Sequence, residues 1–203
     1  RVFVPRHALS DLQGCEQRPV AALQGLSVGV GTNEYRYDVR EARLPGSDLW
    51  VQLVDCPAVF DRPFIYSDAH DEHVRYLMLT RAALECCQRL GFAPDIVHCN
   101  DWITSFIPLY LKTTYKNDPL FKNAKTVFTI YNNSFTHTFK DDIMSKVKML
   151  DIEDAMLGNL KTADYEGFIK MGMEFSDAVI VAGENKKLDG LFKKMKEKKV
   201  ETI

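Results

Sequence analysis

At 203 residues and 46% hydrophobic composition, the chain has apolar side chains enough for one large α/β domain or two small ones. Its net charge of −2 leaves no electrostatic footprint for nucleic acid or for an acidic membrane surface. No apolar run approaches membrane-spanning length, and no signal peptide is visible.

Arg1 to Arg6 reads as a strand already under way, as in a fragment that begins inside a domain. His7 to Arg18 is polar and irregular. Val28-Gly29-Val30-Gly31 lacks the third glycine and the following helix of a dinucleotide fingerprint. Leu26–Val30 and Tyr35–Ala42 are better read as two strands joined by a turn at Thr32-Asn33. A third strand, Leu49–Val54, is closed by Pro57, and Arg62-Pro63 opens a loop. Asp71 to Leu90 is the clearest helix, with Leu79, Ala83, Cys86, Cys87 and Leu90 on one stripe, Asp71 as N-cap and Gly91 just past the end. His73 is expected on its solvent side. The five cysteines, Cys15, Cys56, Cys86, Cys87 and Cys99, follow neither zinc nor redox spacing. Cys86 and Cys87 are adjacent on a helix, where side chains diverge, so free buried thiols and a reducing cytoplasm are expected.

The stretch from Pro94 to Phe135 organises the second half of the chain. Asp95–Cys99 and Thr126–Ile130 are nearly continuous apolar runs bridged by a helix over about Thr104 to Tyr115. That pattern predicts an α/β fold with a parallel sheet covered on both faces. His98, inside the first run, is expected as a core histidine. Ligands of such sheets sit beyond the carboxyl ends of the strands. Here those ends carry Asn100, Asp101, Trp102, Tyr131, Asn132, Phe135 and His137. Amides and a carboxylate beside aromatic rings suit a sugar, whose hydroxyls pair with the polar groups while a ring covers the apolar face. The same residues also fit a structural role, with Trp102 packing and Asp101 capping the next helix. Further on, helices are expected at Asp142–Leu150, Ile152–Leu157, Tyr165–Phe175 and Asn185–Lys199, with a buried strand at Ala178–Val181. The lysine-rich last helix reads as a solvated face. No nucleophilic triad, metal spacing or repeat is found.

All ten arginines lie at or before Arg89, and all sixteen lysines at or after Lys112. Solubility needs no such partition, because either residue serves on a solvated face. Two parents joined between Arg89 and Lys112, or a natural chain with a drift in composition, both account for it.

Phe92 to Trp102 resembles the PDIVHxxDWH segment of glycosyltransferase family 5, the bacterial glycogen synthases and plant starch synthases. Further segments agree in the same order. Val2–Arg6 is similar to VRVVLPRY, Phe60–Tyr66 to FFDRxGIY, Arg81–Glu85 to SRAALE, and Phe121–Asn132 to xxAKTVFTIHN. Ile107–Lys112 matches the helix after the DWH motif. Phe168–Gly172 with Phe175–Asp177 is similar to FLKAGIYYAD.

The resemblance implies a Rossmann-like parallel sheet with flanking helices, the amino-terminal half of a two-domain GT-B glycosyltransferase. Residues 1–203 would form the acceptor-side domain, without its amino-terminal KxGGL loop and without the second, donor-binding domain. The implied reaction is retaining transfer of glucose from ADP-glucose to the non-reducing end of an α-1,4-glucan. No metal and no cofactor beyond the nucleotide-sugar substrate is implied. Asp101 and Trp102 fall on the DW of DWH, and Asn132 on the Asn of IHN. Asp101 and Asn132 are thereby assigned to the sugar and donor pocket, and Trp102 to the cleft wall. Ile103 and Tyr131 stand where the family has histidines, the second expected against the reacting glucose. Members of the Bacteroidetes type share a tyrosine there. A tyrosine still donates a hydrogen bond but does not carry a proton near neutral pH as imidazole does. Tyr131 and Asp101 are the catalytic candidates, with Asn100, Trp102, Asn132, Phe135 and His137 binding substrate. A non-catalytic glucan-binding domain and a flavodoxin-like nucleotide-binding domain are the competing expectations. A cytoplasmic location is expected for a bacterial parent, and a plastid for a plant or algal one.

Overall fold

The computed structural model describes residues 1–131, 134–139, 143–183, 188, 190–191 and the backbone of 200–202. The chain divides into two compact units, Arg1–Phe92 and Ala93–Ile203.

The first unit is built on a mixed sheet of β1 (Val2–Pro5), β2 (Gln17–Pro19), β3 (Leu26–Val30), β4 (Asn33–Arg43) and β5 (Trp50–Asp55). Its order is β1-β5-β4-β2, with β3 also on β4. β1 and β5 run parallel, while β2, β3 and β5 are antiparallel to β4. The expected hairpin forms with Val30 opposite Asn33, so Gly31-Thr32 makes the turn. Gly31 takes φ 62°, a conformation that glycine adopts without a Cβ penalty. A short helix α1 (Pro57–Phe60) follows β5, and the long helix α2 (Glu72–Arg89) packs against β1, β3 and β5.

α2 departs from its expected single stripe. Its residues from Glu72 to Ala82 are buried all round, and only the later turns are amphipathic. His73, expected in solvent, is 2% exposed. The cause is the loop before the helix, which Arg75 draws over the first turns. Arg75 is wholly buried and binds both Glu72 carboxylate oxygens at 2.8 and 2.9 Å. Its guanidinium also donates to the carbonyls of Val59 and Ile65 at 2.8 and 2.9 Å. Ser67 Oγ donates to Glu72 at 2.7 Å. A buried charge is tolerable only when paired and hydrogen-bonded in this way. At its other end, α2 stops as expected. Gly91, at φ 57°, donates to the Gln88 carbonyl at 3.0 Å and Phe92 to that of Cys87 at 2.9 Å, a Schellman closure. Asp71 precedes the helix without capping it, because its carboxylate is engaged by Arg62 at 2.6 and 2.9 Å.

The second unit is a four-stranded parallel sheet in the order β6 (Ile96–Asn100), β7 (Lys125–Ile130), β8 (Ala178–Val181), β9 (Val200–Thr202). Between β6 and β7, a 3-10 turn at Trp102–Thr104 leads into α3 (Ile107–Lys112). The expected single helix from Thr104 is thus shortened. Pro108 lacks the amide hydrogen of a helix interior and is accommodated in the first turn, so α3 begins beside it. α4 (Ile143–Val147) and a 3-10 segment, Asp154–Leu160, replace the two middle helices. α5 (Tyr165–Phe175) and β8 have the expected limits. The expected helix at 185–199 lies almost wholly outside the described residues.

α5 packs against β7 and α3 over a core that includes Leu109, Phe128, Phe168 and Met171, all 0–1% exposed. The other face of β6 differs from expectation. Ile96 is 63% exposed, and His98 and Asn100 are exposed with it, while Cys99 is buried. β6 pairs only with β7 among the described strands, and alternation turns its odd and even residues to opposite faces. His98 is therefore not a core histidine. Its Nε2 lies 2.7 Å from Thr129 Oγ1.

Candidate functional site

The predicted lip forms where β6 and β7 end. Asp101, directly after β6, has φ 62° and ψ 178°, a backbone region that belongs almost entirely to glycine. Hydrogen bonds on both sides of the residue hold it there. Its N–H donates to the Thr129 carbonyl at 2.8 Å, extending the β6–β7 ladder by one bond. Its Oδ1 accepts from the Trp102 N–H at 2.9 Å. Asp101 is 5% exposed, so a carboxylate is held within the strand end at a cost in backbone energy. It caps the adjacent N–H, and its carbonyl accepts from the Thr104 N–H at 3.0 Å and the Thr104 hydroxyl at 3.1 Å.

Tyr131 follows β7 directly and is 43% exposed. Its hydroxyl donates to Asn100 Oδ1 at 3.2 Å, joining the ends of β6 and β7. Asn132, the next residue, lies outside the described residues.

The aromatic side of the lip is built in depth. Trp102 is buried and meets Phe135 edge-on at 4.8 Å and Phe168 at 5.7 Å. Phe135 and His137 are half-buried, with ring centroids 5.0 Å apart. Phe139 closes the cluster, 4.5 Å from His137 and 5.1 Å from Phe135. Trp102 thus supports the lip from behind, and Phe135 and His137 lie nearer the surface than the buried Trp102 and Phe139. Such offset and edge-on pairs add about 0.5–1.5 kcal/mol each beyond area burial.

Asn100, Asp101 and Tyr131 therefore come together, and Trp102, Phe135 and His137 form the wall behind them. Sequence reasoning missed Tyr165, Phe139 and Phe168. Tyr165, 6% exposed at the start of α5, donates its hydroxyl to the Tyr131 carbonyl at 3.1 Å. Its ring stands perpendicular to Phe135 at 5.7 Å. The available signal was Asp164, an N-cap residue whose Oδ1 accepts from Gly167 at 2.8 Å and so fixes where α5 begins. Ile103, in place of the family histidine, is half-buried in the 3-10 turn. Among the described residues, no group of three His, Cys, Asp or Glu side chains is placed to hold a metal ion. No helix among them is long and apolar enough to cross a membrane.

Comparison with known proteins is consistent across sequence and structure. The family model described as "Starch synthase catalytic domain" matches residues 1–188. The chain is 30% identical over 192 residues to the glycogen synthase of Aeromonas salmonicida, covering 91% of this chain and 38% of that one. It is 32% identical over 182 residues to the glycogen synthase of Thermotoga petrophila, covering 88% of this chain and 37% of that one. It superposes on the catalytic domain of starch synthase IV from Arabidopsis thaliana, solved with ADP and acarbose, with a TM-score of 0.78 at 19% identity. That likeness covers 99% of this chain and 43% of the plant structure. The fold is thus the α/β architecture expected of the amino-terminal half of a GT-B glycosyltransferase, and a flavodoxin-like assignment is set aside. The chain spans about two fifths of the length of these relatives, 37–43%. With a family match unbroken over residues 1–188, the chain belongs to the starch synthase catalytic domain family, glycosyltransferase family 5.

Proposed function

We propose that the chain is the acceptor-side portion of a glycogen or starch synthase, which transfers glucose from ADP-glucose to the non-reducing end of an α-1,4-glucan with retention. The observation that carries this reading is Asp101, a buried carboxylate held at φ 62° and ψ 178° on the β6 end. Backbone strain of about 1–3 kcal/mol persists where the surrounding structure over-determines it, most often at functional sites. The Arabidopsis relative, solved with ADP and acarbose, supports a nucleotide and a glucan-like ligand as partners.

In this reading Asp101 accepts a hydroxyl of the glucose unit that reacts, and Tyr131 lies beside it. Phe135 and the rings behind it give the sugar an apolar wall and exclude water, which strengthens every hydrogen bond in the site. Asn132 is assigned to the sugar and donor pocket by its place in the resembled IHN segment, and His137 is assigned to bind substrate beside it. The nucleotide sugar supplies its own leaving group, and the second domain of the complete enzyme would hold most of it.

The test is calorimetric titration of the 203-residue chain with maltoheptaose. Saturable binding is expected, weakened about tenfold by Asp101→Asn, a loss typical of one charge-assisted hydrogen bond. No radiolabelled glucose should pass from ADP-glucose to glycogen, because one wall of a cleft does not enclose a transition state. Failure to bind maltoheptaose, or binding indifferent to Asp101→Asn, overturns the assignment of this lip. Turnover by the chain overturns the division of labour between the two domains.

A further inference from the structure

We propose that Asn100 and Tyr165 are positioning residues that orient Tyr131, so that its phenol oxygen meets a bound sugar as a hydrogen-bond acceptor and selects a hydroxyl that donates. The proposal rests on the reading of the lip as a glucan site and specifies what one of its residues recognises.

A tyrosine hydroxyl has one hydrogen to donate and two lone pairs to accept with. At Tyr131 the hydrogen is committed to Asn100 Oδ1, 3.2 Å away. The capacity that remains on the exposed side of the phenol is acceptance. Beside it, the Asn100 amide nitrogen carries N–H donors. The pair therefore offers an acceptor and a donor side by side, the complement of two neighbouring sugar hydroxyls of which one donates and the other accepts.

The orientation is fixed at the other end of the residue as well. The Tyr131 carbonyl accepts from Tyr165 Oη at 3.1 Å. Tyr165 is the first residue of α5, whose start is held by the Asp164 cap. The chain approaches closely there. A Cβ on Gly167 would lie 2.4 Å from the Asn159 carbonyl oxygen, so α5 has little freedom to shift. The Tyr165 ring is further held against Phe135. Tyr131 is thus tied by its backbone to a helix start and by its hydroxyl to a neighbouring strand.

This arrangement differs in kind from the histidine of the related enzymes. Imidazole donates or accepts according to its tautomer and protonation state. The phenol, with its hydrogen on Asn100 Oδ1, keeps its lone pairs for the ligand. It accepts.

Maltose analogues with single hydroxyls replaced by hydrogen or by fluorine test this directly, because fluorine retains some acceptor capacity but cannot donate. At one sugar position, both replacements should weaken binding to the 203-residue chain equally, by about threefold to tenfold for one neutral hydrogen bond. Tyr131→Phe should abolish that penalty. In Asn100→Ala the freed O–H donates to fluorine, so the fluoro analogue should bind about threefold or more better than the deoxy analogue. Tyr165→Phe should weaken maltose and shrink the deoxy penalty together, with the melting transition still cooperative. If maltoheptaose binds but Tyr131→Phe leaves every deoxy penalty unchanged, the proposal falls while the glucan site stands. Equal fluoro and deoxy affinities in Asn100→Ala also overturn it. If maltoheptaose does not bind at all, the site reading and the proposal fall together.

Discussion

Asp177 shows how much a single side chain organises in this fold. It precedes β8 and receives Lys112 Nζ at 2.9 and 3.0 Å, the Thr126 N–H at 2.8 Å and Thr126 Oγ1 at 2.9 Å. Burial alone would raise its pKa, but the Lys112 ammonium and the Thr126 donors outweigh it and hold the carboxyl below its usual range. A depressed carboxyl binds fewer protons in the folded chain than in the unfolded one. Its contribution is therefore full above the unfolded carboxyl pKa and lost as pH falls through the folded value. Asp177→Asn should lower stability at pH 7 by roughly 1 kcal/mol, discounted for partial exposure. The difference from the parent should shrink steadily in urea titrations carried to lower pH, below the usual carboxylate range. At this scale sequence reading had mixed success. Asn100, Asp101 and Tyr131 were legible as a lip because strand ends in a parallel sheet gather the residues that come directly after them. His98 and His73 were misread. Their exposure depends on what covers β6 and the first turns of α2, and periodicity carries no record of that.

Between α5 and β7, the packing allows almost no extra volume. A Cβ on Gly172 would stand 2.5 Å from two atoms of the Phe128 ring, which is itself 0% exposed. Gly172→Ala gains helix propensity but forces the ring aside, and overpacking a core costs about 1–3 kcal/mol. The net result should be a lower melting temperature with α5 still formed by circular dichroism. A Gly172→Ala chain as stable as its parent would mean that Phe128 rotates freely out of the way. α5 itself was the element read most accurately. Phe168, Met171 and Phe175 recur at helical spacing, and the structure adds Asp164 as the cap that fixes the start. β2 was missed for the opposite reason: Gln17-Arg18-Pro19 has no apolar alternation, and only pairing with β4 makes it a strand. The shortened α3 follows from Pro108, whose effect on the preceding turn a stripe of apolar residues does not reveal.

For the molecule as a whole, the division at Phe92 and Ala93 falls inside the interval between the last arginine and the first lysine. Composition and architecture thus change in the same stretch, yet the family match runs across it to residue 188. Any two parents would both have come from this family. The cysteines give a measure of how well both units are packed. All five are free, four of them buried, with Cys15 half-exposed in the loop before β2. Burial raises the thiols of Cys56, Cys86, Cys87 and Cys99, with Cys86 at about 12 and Cys87 at about 11. A buried thiol without a thiolate is unreactive. Ellman titration of the native chain should therefore count one fast thiol and, in denaturant, five. More than one fast thiol would show that a core opens on the timescale of the reaction. Fold class was legible from the β-branched runs and ordered segments. Whether one large unit or two small ones form was left open by composition, because the contacts that define the division are distant in sequence.

The backbone of Asp101 has a consequence for how this chain could be improved. At φ 62° and ψ 178°, a glycine would sit without strain, and it would also spare the strand end a buried carboxylate. Selection for foldability alone would drift toward glycine at this position. The aspartate instead places a carboxylate at the mouth of β6, at a backbone position that suits glycine better. A redesign scored only on stability would favour glycine here and erase the carboxylate on which the proposed sugar contact rests.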